Sequence, residues 1–139
     1  MSNIDLSQAI SADSLRQAKN AALFEQLAEL RYSLENEPVD LPDGMEIQGN
    51  REARQELAAQ HFLRQTGVAE GPVYWKGPSG WITLSPDMLG LALWKISNRI
   101  QALFEAEKLF QDKISTSDFQ SFAVVADGFL AHVEWRLSQ

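Results

Sequence analysis

The stretch Val73–Leu89, VYWKGPSGWITLSPDML, decides the fold. Aromatic and β-branched residues fill Val73–Lys76 and Trp81–Leu84, as a pleated, half-buried surface prefers. Gly77-Pro78-Ser79-Gly80 between them supplies turn chemistry, so the stretch predicts a β-hairpin. Ser85-Pro86-Asp87 then predicts a helix start. Serine caps, proline gives up a donor that would be orphaned there, and aspartate meets the positive helix end. The rings of Tyr74, Trp75 and Trp81 allow two readings. Trp75 and Trp81, as cross-strand neighbours, pack on a helix and stabilise the hairpin. Alternatively, the three rings form an exposed patch for a protein partner.

Downstream, Leu89, Leu93, Ile96, Ile100, Leu103, Phe110 and Ile114 recur three and four apart. They predict a long helix from Pro86 to about Ile114, with Glu107 the polar member of its stripe. Gly90 inside it costs up to about 1 kcal/mol against alanine. Ser115–Asp118 reads as a break and a new cap. A last helix is then expected from Phe119 to about Leu137, with Phe119, Phe122, Ala126, Phe129, Val133 and Leu137 as its stripe and a mild interruption at Asp127-Gly128. Val124 and Trp135 lie off that stripe. A helix with apolar residues on more than one side needs more than one neighbour. Phe119, Phe122, Phe129 and Trp135 therefore join Tyr74, Trp75 and Trp81 as candidate partner-binding residues.

Upstream, residues 1–10 read as a loosely held arm. Ser11 or Asp13 can cap a first helix that runs to about Asn36, with Leu15, Ala22, Leu23, Leu27, Leu30 and Leu34 on one stripe. Pro38 ends it. In PVDLPDGMEIQG, Val39 and Leu41 alternate with polar residues before Pro42-Asp43-Gly44, and Met45 and Ile47 alternate after it. That pattern predicts a second hairpin. Asn50 can cap a helix over 51 to about 65, with Ala53, Leu57, Ala58 and Phe62 facing inward and Gly67 ending it. The fold class is therefore α+β and mainly helical: about four helices and two short β-hairpins able to join in one small antiparallel sheet. The expected division is an arm over 1–10, a domain over 11–117, and a C-terminal helix over 118–139 that packs on the domain or on a partner.

The chain has 139 residues and a formal net charge of −7. This acidity disfavours binding along a phosphate backbone and suits a partner with a basic patch. Cysteine is absent, which removes disulfides, thiolate metal sites and a thiol nucleophile. No apolar run approaches the roughly 20 residues that span a bilayer, and the first residues carry no secretory signal. Neither a membrane nor a nucleic acid is expected as a partner, and the cytoplasm is the expected compartment. His61 and His132 stand alone on different helices, without the paired spacing of a zinc site. Glu105 and Glu107 point to different sides of one helix, and Asp40, Asp43 and Glu46 lie near a turn where acids are commonly solvated. Gly77–Gly80 is a turn between strands and lacks the lysine of a phosphate loop. No catalytic residue, metal ligand or cofactor is assigned.

Four segments carry a family likeness: IDLSQAI before an alanine-rich helix, ELRYSLENEPVDLPDGMEIQGNREARQEL, the hairpin VYWKGPSGWITLS, and LALWKISNRIQALFEAEKLFQDKI. Over roughly residues 4–114 the chain resembles a small domain family of tailed bacteriophages, prophages and phage-tail-like bacteriocins, often encoded beside tail-fibre genes. The hairpin and the long helix are the most specific part; residues 118–139 lie outside the likeness. The family has no established catalytic residues to carry over. The resemblance implies a non-enzymatic tail-module protein, foremost an assembly chaperone that binds the tail-fibre protein in the host cytoplasm. The alternatives are a structural tail component retained in the particle, or a prophage regulatory or host-interaction protein. A homo-oligomer is compatible with each.

Overall fold

The computed structural model describes residues 2–119 and 121–139, with side chains from Ser11 onward. Its described elements are four helices and two short antiparallel hairpins, a mainly helical α+β fold. In order these are α1 (Ser2–Glu35), β1 (Val39–Asp40), a 3₁₀ turn (Pro42–Gly44), β2 (Glu46–Ile47), α2 (Arg51–Gln65), β3 (Val73–Gly77), β4 (Gly80–Leu84), α3 (Pro86–Thr116) and α4 (Phe122–Leu137). The chain divides into two compact units, one of Met1–Arg31 with Phe104–Gln139, the other of Tyr32–Leu103. This division differs from the expected one at residues 10 and 117.

The Tyr32–Leu103 unit has a single core. Val39, Leu41 and Ile47 of the first hairpin, Leu57 of α2, Val73 and Leu84 of the second hairpin, and Leu89, Ala92, Ile96 and Ile100 of α3 are all buried together. The hairpins keep separate ladders: β1 pairs only with β2, and β3 only with β4. They do not join in one sheet. Side chains bridge them instead. Gln48 accepts a 2.8 Å bond from the Trp75 indole N–H, and its own amide donates to the Lys76 carbonyl at 2.9 Å. A Cβ on Gly77 would lie 2.8 Å from the Glu46 carbonyl oxygen, so glycine there permits the close backbone approach. In the first hairpin's turn, Asp43 and Gly44 both take positive φ after Pro42. Aspartate tolerates that region better than most residues.

Two expected caps are present: Asn50 Oδ1 accepts from Ala53 N at 2.8 Å, and Ser85 Oγ from Met88 N at 3.1 Å. On α2 the inward residues are Ala53 and Leu57, while Ala58 and Phe62 face water; Phe62 is 64% exposed. The inward line continues instead through His61, which reaches α3 at Gly90, where an added Cβ would meet the imidazole at 3.4 Å. That distance is ordinary van der Waals contact, so the imidazole lies directly against the surface of α3 at this glycine.

Arg99 of α3 holds the chain as it leaves α1. Its guanidinium donates to the carbonyls of Glu35, Glu37 and Pro38. Burial lowers the Arg99 pKa from its ordinary value, partly opposed by the carboxylates of Glu37 and Glu35. Glu35 itself is almost fully buried and accepts from Arg54 of α2 at 3.0 Å. Gly49 lies against the same knot, where a Cβ would be 2.7 Å from the Glu37 carbonyl oxygen and inside the guanidinium.

In the other unit, α1 is helical from Ser2, ahead of the expected Ser11 or Asp13 caps; side chains of the expected arm lie outside the described residues. Leu23 and Leu27 of α1, Ala106, Phe110 and Ile114 of α3, and Val125, Phe129 and Val133 of α4 are buried. Leu15 faces water. Glu107, the polar member of the α3 stripe, accepts from Arg31 of α1 at 3.0 Å, and that guanidinium lies over the Phe104 ring. The expected break at Ser115 is shifted: α3 continues through Thr116, and Asp118 pairs with Lys19 at 3.2 Å. Helix α4 begins at Phe122, after Ser121, whose side chain makes no capping bond.

The Phe110 ring occupies the space over Gly128, 2.7 Å from where a Cβ would lie. The Asp127-Gly128 interruption is thus a packing requirement between α3 and α4. Gly128→Ala gains up to about 1 kcal/mol of helix propensity but forces a buried ring to move, typically costing about 1–3 kcal/mol. The expected outcome is a lower thermal midpoint for Gly128→Ala, recovered when Phe110→Leu is added. An unchanged or raised midpoint in the single variant would contradict this packing.

Candidate partner surface

The second hairpin sorts its aromatic rings by alternation. The register pairs Tyr74 with Thr83, Trp75 with Ile82 and Lys76 with Trp81. Trp75 and Trp81 are therefore not cross-strand neighbours. Side chains of a strand alternate between faces. Val73, Trp75, Ile82 and Leu84 point to the core, whereas Tyr74, Lys76, Trp81 and Thr83 point to water. Trp75 is half-buried and bonded to Gln48, a core residue with its polar end satisfied. Tyr74 is 75% exposed and Trp81 73% exposed. Of the three rings, Trp75 packs as the first reading expects, and Tyr74 and Trp81 are exposed.

The remaining candidates divide similarly. Phe129 is fully buried, and Phe119 and Phe122 are half-buried, with Phe119 ahead of α4 rather than on it. Trp135 is 56% exposed, with its ring 5.5 Å from that of His132. Val124, off the expected stripe, is exposed, and Val125, which that stripe does not include, faces inward. Trp94 of α3, not a sequence candidate, is also largely exposed. Its signal was available, since position 94 falls opposite the Ile96 stripe at 100° per residue. Among these rings, only Tyr74 and Trp81 share a face of one regular element whose other face is anchored in a core.

A polar cleft beside the Arg54–Glu35 pair is lined by Tyr32, Asn36, Asn50 and Arg51. Within it, the Arg54–Glu35 pair holds α2 to the end of α1. Among the described residues no cluster of three or more histidine, aspartate or glutamate side chains could hold a metal ion, and no helix is long and apolar enough to cross a membrane. No protein-family model, curated protein or solved structure matches this chain.

The two tryptophans of the hairpin separate experimentally. Trp75→Phe removes the bond to Gln48 and part of a packed ring, and is expected to cost about 1–2 kcal/mol. Trp81→Ala removes an exposed ring and is expected to cost no more than about 0.5 kcal/mol. Urea unfolding followed by far-UV circular dichroism measures both. Equal losses would contradict the assignment of faces.

Proposed function

We propose that this chain is a non-enzymatic accessory protein of a phage or phage-tail-like bacteriocin, an assembly chaperone that binds a tail-fibre protein in the host cytoplasm through the Tyr74–Trp81 face. The observation that carries the reading is that face: two large rings held in water on a hairpin whose opposite side is core. Tyrosine and tryptophan contribute heavily to protein interfaces, and little ordering entropy is lost when strands already fix them. The resemblance of VYWKGPSGWITLS and the long helix to the tail-associated family supplies the partner class. The physical mechanism is reversible masking. The rings cover an apolar patch on the fibre, while a net charge of −7 keeps the complex dispersed.

Co-expression with a tail-fibre protein, the partner class that the resemblance implies, tests this. The fibre's soluble fraction should rise and the two proteins should co-purify. The double variant Tyr74→Ala/Trp81→Ala should retain the helical circular dichroism signal yet reduce co-purification at least about tenfold, as loss of a central aromatic pair does. A fibre that is soluble alone and binds nothing would overturn the proposal. Recovery of the chain from finished particles would favour a retained tail component instead.

A further inference from the structure

We infer that β4 is an open pairing edge, and that a second copy of this chain occupies it, antiparallel about a two-fold axis at Ile82. The register determines which backbone groups point outward. Gly77 and Gly80 pair across a two-residue loop, so they form a hydrogen-bonded pair. Antiparallel ladders alternate, so Trp75–Ile82 and Val73–Leu84 are also bonded inward. The N–H and C=O groups of Lys76 and Tyr74 then point away from β4, and those of Trp81 and Thr83 point away from β3. The Lys76 carbonyl fits this assignment, because it accepts from Gln48 on the outer side of β3. The first hairpin thus occupies the β3 edge, with Gly77 close against the Glu46 carbonyl. Among the described residues no strand lies beyond the β4 edge, and Trp81 and Thr83 are exposed.

Unpaired edges in soluble proteins are commonly guarded by charge, an internal proline or a bulge. This one has none of these. No charged residue lies between Lys76 and Asp87, and Pro78 and Pro86 fall outside the strand. The ladder of β3 and β4 is continuous. That lack of charge favours a second copy as the occupant. Two acidic chains repel over most of their surface, but along β4 no like charges would stand opposite one another. The edge is also self-complementary. With Ile82 on the axis, Trp81 of each copy faces Thr83 of the other, and each exchanges its N–H and C=O with the residue opposite. The half-buried Ile82 side chains meet on the inner face. Tyr74 and Trp81 of both copies then lie on the outer face of one four-stranded sheet. The contact uses the edge and leaves the ring faces free.

Sedimentation equilibrium of the full chain tests the inference independently of any fibre. The wild type should show a concentration-dependent monomer–dimer equilibrium. Thr83→Pro removes the outward N–H, a donor with no role in the folded monomer, and proline is tolerated at edge positions. It should weaken dimerisation at least about tenfold, since one donor is lost from each copy. Thr83→Val keeps the N–H and should dimerise like wild type. Amide exchange at Trp81 and Thr83 in the wild type should slow as concentration rises, a readout that does not depend on the proline variant folding. A wild type that stays monomeric up to about 1 mM, the weak end of measurable association, would overturn the inference. So would a dimer in which those two amides remain unprotected.

Discussion

The guanidinium of Arg99 is the point on which the hairpin unit depends. The chain leaves α1 at Glu35 and must turn into β1 within a few residues, and the carbonyls of Glu35, Glu37 and Pro38 have no ladder to join there. One planar fork, carried by a core helix, collects all three. A lysine could not match that geometry, because its ammonium is a compact point charge rather than a fork. The same knot sets the rest in place. Gly49 must lack a side chain to lie beside it, and Asn50 follows at once as the cap of α2. Arg54 of α2 returns to Glu35 and neutralises a carboxylate that would be costly to bury alone. The first hairpin lies between these anchors and in turn flanks the second through Gln48 and the Glu46–Gly77 approach.

That chain of contacts explains why the two edges of the second hairpin differ. Its β3 side is occupied by groups the first hairpin supplies, and its β4 side is not. It also explains the sorting of rings. With Val73, Trp75, Ile82 and Leu84 committed to α3 and the core, alternation leaves Tyr74 and Trp81 in water. Face and edge are separate features of one small element: the face presents the exposed rings of Tyr74 and Trp81, and the edge carries the outward backbone groups of Trp81 and Thr83.

Most of the fold was legible in the sequence because its signals are local. Ser85-Pro86-Asp87, Asn50 and Pro42-Asp43-Gly44 each determine backbone geometry within a few residues, and the α3 stripe is long enough to average out Gly90. The failures have a common cause in tertiary contacts. Phe62 is expected inside because its spacing from Leu57 and Ala58 is helical, yet the inward line of α2 runs through His61, which meets α3 at Gly90. Ser115–Asp118 looked like a cap, but Asp118 pairs with Lys19, a residue far away in sequence. Joining the hairpins in one sheet was a reasonable expectation that Gln48 replaces with side-chain bridges. Of the candidate site, the hairpin was legible, but which ring faces water depends on register. Trp75 lies two residues before Gly77 and Trp81 one residue after Gly80, and it is the Gly77–Gly80 pairing that turns this one-residue offset into opposite faces. The Arg99 knot was not legible at all, since nothing near position 99 announces three distant carbonyls.

The most direct measurement is the unfolding free energy of Arg99→Lys, taken from urea titration with amide exchange read at the hairpin residues. The substitution keeps the charge and most of the stem and removes the fork. If the fork organises the unit, stability falls by about 2 kcal/mol, the scale of charge-assisted bonds lost at a half-buried site. Protection should then weaken in both hairpins, including Ile82 and Leu84, which Arg99 does not bond. If lysine is tolerated to within about 0.5 kcal/mol, as a surface charge would be, and hairpin protection is unchanged, then the apolar core alone holds these elements and Arg99 only decorates them.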